Sequence, residues 1–182
     1  MKHAAQGSAR TLGIVAALTS GASFGFFYSW VITMWGLDAA APEAALASMV
    51  AVNEIVRNPL FIASFVGAPV ATALAAVAAL LAGRRRVSLF FAGAFVGLLA
   101  LIVVTSIGNL PLNRSIALLE PADYGLGAWA AYSSPWQVWN GIRAALAGIA
   151  VLLCSCGLLI LGASARGGGR SEEDRSPALA TR

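Results

Sequence analysis

Long apolar runs broken by short polar segments dominate this chain, and four of the runs reach membrane-spanning length. A helix needs roughly 20 residues to cross the hydrocarbon core, and the pattern predicts spans over about 11–35, 59–83, 87–108 and 135–162. Between the first two, Leu46, Met49, Val50 and Val56 recur at helical spacing. That periodicity predicts an amphipathic helix at the membrane interface. Asp38 reads as its cap, Pro42 suits a first turn and Glu43 favours a helix N-terminus. Asn58 precedes Pro59 and is pushed out of helical geometry, which marks the turn into the second span. Pro69, inside that span, removes a backbone hydrogen bond and predicts a kink. Ser134-Pro135 supplies a cap and a first-turn proline for the fourth span. Residues 163–182, rich in Gly, Ser and charge, are expected to be disordered.

Composition turns this pattern into a class. The chain is 59% hydrophobic and 11% charged, against about a quarter charged in soluble domains. The expected fold is therefore all-α, a single integral membrane four-helix bundle over 1–182, with no room for a separate soluble domain. The first run is too long for the apolar region of a signal peptide and reads as a retained span. The net charge of +4 does not indicate nucleic acid, because the basic residues flank apolar runs. Lys2, Arg10, Arg84, Arg85, Arg86, Arg166, Arg170, Arg175 and Arg182 fall on one side, and only Arg57, Arg114 and Arg143 on the other. The positive-inside rule then predicts a multi-pass protein of the cell membrane with both termini cytoplasmic and the amphipathic helix outside. Gly13, Ala17, Gly21 and Gly25, and separately Gly93 and Gly97, form small-residue stripes. They suit close helix packing within the bundle or between copies in a homo-oligomer.

That topology gathers polar residues at one end. Asn53, Arg57, Asn58, Asn109, Asn113, Arg114, Asn140 and Arg143 all belong to the outer end of the predicted bundle. Arg143 lies eight residues after Pro135, roughly 12 Å along a helix axis. At that depth a guanidinium is costly unless it faces the interior, finds partners or snorkels outward. Trp136, Asn140 and Arg143 share one helix face, with Trp139 also four residues before Arg143. Two readings fit these residues. One is a pocket lined by amides, guanidiniums and indole rings, suited to a planar aromatic or anionic oxygen-bearing ligand. The other is structural, with amides bonding loop carbonyls and tryptophans anchoring the interface.

Other chemistry is sparse. The single histidine, His3, lies in the cytoplasmic lead, so a histidine base or histidine-ligated metal is excluded at the outer end. Cys154 and Cys156 lie about 200° apart around a helix, poorly placed to share one ion. Glu54, Glu120 and Asp123 are the outer carboxylates, each either a base or a solvated interface charge. No phosphate loop, nucleophile elbow or dinucleotide fingerprint is present. The Ala/Gly/Arg bias looks bacterial, so the Asn113-Arg114-Ser115 sequon carries no weight.

Several of these pieces occur together in one family. Phe24-Gly25-Phe26-Phe27, Asn58-Pro59-Leu60-Phe61, Asn109-Leu110-Pro111-Leu112-Asn113 and Trp136-Gln137-Val138-Trp139-Asn140-Gly141-Ile142-Arg143 resemble the small four-span membrane proteins grouped with the fungal anthrone oxygenases. The resemblance covers roughly residues 12–160. It implies oxidation of an anthrone to an anthraquinone by O2, with no metal, flavin or other cofactor. Under it, Arg143, Asn140 and Asn113 stabilise the oxyanion and Trp136 and Trp139 stack on the substrate; the resemblance supplies no base, and of the outer carboxylates Glu54 is the one assigned that role. Asn53, Arg57, Asn58 and Asn109 line the same ligand site. The expected partners are the bilayer, a small aromatic substrate and O2, without nucleic acid. A second class stays open: a non-enzymatic membrane protein that binds a lipid or small hydrophobic ligand, or assists a partner membrane protein.

Overall fold

Alanine, glycine and leucine at helical spacing set the architecture. A computed structural model describes residues 2–173, with side chains over 4–163. Its helices are α1 (Lys2–Asp38), α2 (Pro42–Ile55), α3 (Pro59–Phe65), α4 (Gly67–Leu81), α5 (Arg85–Val104), α6 (Leu110–Ala117) and α7 (Leu126–Glu173). A π turn, Thr105–Asn109, joins α5 to α6, and a 3-10 turn, Pro121–Asp123, precedes α7. Four segments are long and apolar enough to cross a membrane: Ala4–Asp38, Pro59–Leu81, Arg85–Ala117 and Leu126–Ala163. The protein is thus an all-helical, four-span bundle.

α1 and α5 each pack against both α4 and α7, so the four spans close a ring. On α4, Ala68, Ala71, Thr72, Ala75 and Ala79 are buried, a narrow face of small side chains that lets its neighbours approach closely. The Ser88 hydroxyl donates to the Ala76 carbonyl at 2.8 Å and ties α5 to α4. Gly83, at φ +73°, makes the left-handed turn between them. Of the small-residue stripes, Gly13 packs against Phe91 and Leu158, and Gly93 against Leu153. Gly21 and Gly25 face open space. The expected kink lies at Val66, where α3 ends and α4 begins, one turn before Pro69.

One end of the bundle carries a second core of Met34, Leu46, Met49, Ile116, Trp129, Tyr132 and Trp136. α2 turns its apolar face onto this core, burying Ala45, Leu46 and Met49 in the protein. Three expectations are corrected here. Asp38 does not cap α2: the residue at that position is Ala41, with no side-chain cap, and Asp38 closes α1. The third span does not end near 108: helix continues through Pro111 to Ala117, because the π turn takes up an extra residue and the Leu110 N–H reaches back to the Thr105 carbonyl. α7 starts at Leu126 and holds Pro135 inside it, so Ser134 caps nothing. Burial explains that extension: Trp129, Tyr132, Ser133 and Trp136 fall on one inward face and offset the hydrogen bond lost at the proline. At the other end α7 runs on to Glu173, into the segment expected to be disordered. The remainder of that segment, 174–182, lies outside the described residues, as does the side chain of His3.

Candidate functional site

Asn113 on α6 anchors the polar layer at this end. Its Oδ1 accepts from the Trp136 Nε1–H at 2.8 Å and from the Tyr132 hydroxyl at 3.0 Å. An indole N–H can only donate, so these bonds fix which amide atom is oxygen and leave Nδ2 facing elsewhere. Asn109, held in the π turn and 1% exposed, donates to the Trp136 carbonyl at 3.2 Å. Its own Oδ1 is buried without a partner. Gly108 in the same turn lies directly beneath Trp139, where a Cβ would clash with the indole.

One turn deeper, Asn140 donates to the Phe27 carbonyl at 3.0 Å and accepts from Arg143 at 2.9 Å. Arg143 is 6% exposed, and its guanidinium sits 4.6 Å from the Phe27 ring centre and 5.3 Å from that of Trp136. Its partners among the described residues are thus an amide oxygen and two ring faces, with no carboxylate, and its Nε is buried unpaired. A desolvated cation without a counter-anion projects its field further than an ion pair would.

Asp38 holds the extension of α7. Its Oδ1 accepts from Trp129 Nε1 at 3.0 Å and from the Ser133 hydroxyl at 2.6 Å, and its Oδ2 accepts from Gln137 Nε2 at 2.9 Å. Those donors recur every fourth residue along one face of α7. The same spacing is visible in the sequence once 126–137 is read as helix, and it is the signal that would have grouped Trp129, Ser133 and Gln137.

A cavity of about 190 Å³ opens between α2, α3, the π turn and α6. Asn53, Glu54, Arg57, Phe61, Asn113 and Arg114 are among its walls. A smaller space of about 50 Å³ shares Asn53, Val56 and Phe61 with it and reaches Trp30 and Trp136. The Asn53 Nδ2 is buried without a hydrogen bond, although it approaches the Tyr132 hydroxyl. Phe61 belongs to an aromatic wall, stacked on Phe65 at 5.2 Å and tilted against Phe26 at 5.0 Å.

The expected site residues therefore separate into three places. Asn53, Glu54, Arg57 and Asn113 meet at the larger cavity. Trp136 walls the smaller space, with Arg143 and Asn140 behind it and Trp139 packed on Gly108. Asn58 caps α3, its Oδ1 accepting from the Leu60 and Phe61 N–H groups at 2.9 and 3.0 Å. Arg114, Phe61 and Thr105 join the cavity without having been singled out as ligand-site residues.

No curated protein and no solved structure matches the chain. The family model described as anthrone oxygenase matches residues 58–153, more than half of the chain. That stretch takes in the cap at Asn58, the π turn, Asn113 and the Trp136–Arg143 segment. It is narrower than the sequence resemblance, leaving α1 and α2 outside, and with them Phe24–Phe27 and Glu54. The chain belongs to the anthrone oxygenase family.

Proposed function

We propose that the protein is a membrane oxygenase that converts an aromatic, membrane-partitioning substrate of the anthrone type to its quinone. The reaction takes place in the cavity between α2, α3 and α6. The observation that carries this reading is the make-up of that cavity: one carboxylate (Glu54) and two amides (Asn53 and Asn113), beside the ring of Phe61. Its volume, about 190 Å³, exceeds the roughly 150 Å³ of an engineered apolar cavity that takes up benzene. The adjoining space at Trp136 lengthens the apolar wall available to a fused ring system.

Overall, anthrone and O2 give anthraquinone and water. Glu54 takes a benzylic proton, and the electron pair left behind delocalises onto the ring-carbonyl oxygen. Asn113 Nδ2 donates to that oxyanion, and the two bonds accepted by Asn113 Oδ1 strengthen its N–H as a donor. The carbanion passes one electron to O2, and the resulting radical pair joins in a new C–O bond. The proton held by Glu54 completes the hydroperoxide. Loss of the second benzylic proton to Glu54 expels hydroxide as the O–O bond breaks, leaving the second carbonyl. The proton then combines with hydroxide as water. The electrons come from the substrate itself, so the scheme calls on no resident cofactor. Asn140 is a positioning residue in this account, holding Arg143 behind Trp136, and the Arg143 charge acts on the carbanion through space across the indole.

The arginine and lysine distribution supports an orientation with this end outside the cytoplasm of a bacterial cell and both termini within. The test is direct. Purified protein is incubated with anthrone and substituted anthrones under O2, and anthraquinone formation is compared with uncatalysed autoxidation. Turnover above background is expected; a broad panel with none retires the oxygenase reading.

A further inference from the structure

Two arginines reach the wall of the same cavity, from different elements. Arg57 follows the end of α2 and Arg114 lies on α6, and both line the space that holds Glu54 and Asn53. Arg57 stands three residues after Glu54, just past the helix end at Ile55. None of Arg57, Arg114 and Glu54 takes part in an ion pair among the described residues. Two arginines against one glutamate leave the cavity wall with a net positive charge, which an anionic ligand group offsets. A planar carboxylate matches their fork geometry. Val50, Val56, Phe61, Leu110 and Ala117 give the cavity apolar and aromatic wall, which suits a flat ring system. The oxyanion of the reaction has a donor of its own in Asn113, so the guanidiniums remain available to a second negative group.

We infer that the preferred substrates are aromatic acids: fused-ring compounds with a carboxylate away from the reacting carbon, held between Arg57 and Arg114. The inference rests on the oxygenase reading for the word substrate, but the binding site it describes stands on the cavity alone. A lipid phosphate offers the same charge, and the test separates the two sources.

Anthraquinone-2-carboxylate and its methyl ester, neither of which can turn over, are titrated against the full chain in phosphatidylcholine nanodiscs. Tryptophan fluorescence and calorimetry report binding. The acid is expected to bind about tenfold more tightly than the ester, equivalent to about 1.4 kcal/mol. Arg57→Gln and Arg114→Gln each narrow that ratio toward one. Equal affinity in the wild type, or variants that keep the full ratio, overturns the inference. Replacing part of the phosphatidylcholine with phosphatidylglycerol leaves the acid's advantage in place. If the anionic lipid abolishes it, and native mass spectrometry finds that lipid retained by wild type but not by the arginine variants, the site belongs to the headgroup and the inference is withdrawn. Turnover of neutral anthrones without any acid preference removes this inference and leaves the oxygenase reading. Tight acid binding with no anthrone turnover does the reverse.

Discussion

Removing the buried charge of Arg143 probes the electrostatics of the site without touching the cavity wall. Methionine keeps apolar bulk between Phe27 and Trp136 and loses the guanidinium. The charge sits 5.3 Å from the Trp136 ring centre, and a ring system on the other face of that indole lies about 3.5 Å further, at van der Waals contact. Across about 9 Å and at an effective dielectric of about 20, a unit charge contributes about 2 kcal/mol to an anion. The carbanion is anionic and the neutral substrate is not, so this stabilisation falls mainly on the transition state for proton removal. Arg143→Met is therefore expected to lower kcat for anthraquinone formation roughly 20-fold, with little change in KM. Asn140 Oδ1 loses its partner, which costs about 1–3 kcal/mol. That cost is offset because a guanidinium is no longer buried without a counter-ion, so the melting temperature in detergent stays near that of wild type. Arg143→Lys keeps the charge and recovers most of the rate. The reasoning is refuted if Arg143→Met turns over like wild type, or if the lysine variant is as slow as the methionine one.

Three further substitutions address the elements that place the cavity. Asn113→Asp keeps an acceptor for Tyr132 and Trp136 but replaces the proposed Nδ2 donor with an anionic oxygen. The variant folds, and kcat falls by about 100-fold or more; an unchanged rate assigns the oxyanion to other donors. Gly108→Ala drives a methyl group into the Trp139 ring, and overpacking there costs about 1–3 kcal/mol, read as a lower melting temperature. An unchanged melting temperature contradicts the close packing of the π turn on α7. Asp38→Ala removes an acceptor serving three donors on α7. At about 1 kcal/mol per bond, reduced because Asp38 is exposed, it destabilises by about 2 kcal/mol. Faster hydrogen exchange over 126–134 than over 144–160 is the expected local sign, and uniform exchange along α7 contradicts it.

Much of this architecture was legible from periodicity, because bilayer thickness sets span length and apolar residues show where the spans lie. The polar end was legible too, since charge asymmetry along the chain assigned Asn113, Asn140 and Arg143 to one side before any contact was known. Proline hid what came next. Pro111 and Pro135 read as boundaries, yet a π turn absorbs the first and a well-buried aromatic face tolerates the second. Both helices therefore extend further toward the polar end than their sequence punctuation suggests. Asp38 was obscured in a different way. An aspartate shortly before a first-turn proline resembles a cap, and its true donors lie on another helix, far along the chain. The division between the cavity and the buried Arg143 layer was not legible at all. It depends on which side of Trp136 each group falls, a matter of packing between α2, α6 and α7 rather than of spacing along any of them.

The central claim is that Glu54 performs proton abstraction in this cavity, and Glu54→Gln tests it most directly. Glutamine preserves the size and polarity of the side chain and removes its capacity to accept the benzylic proton. General-base catalysis contributes about 100- to 10,000-fold. The account predicts that anthraquinone formation by the variant, measured under saturating O2 beside wild type in the same lipid preparation, falls by at least about 100-fold. Wild-type turnover in Glu54→Gln would contradict the account and leave the cavity without its base.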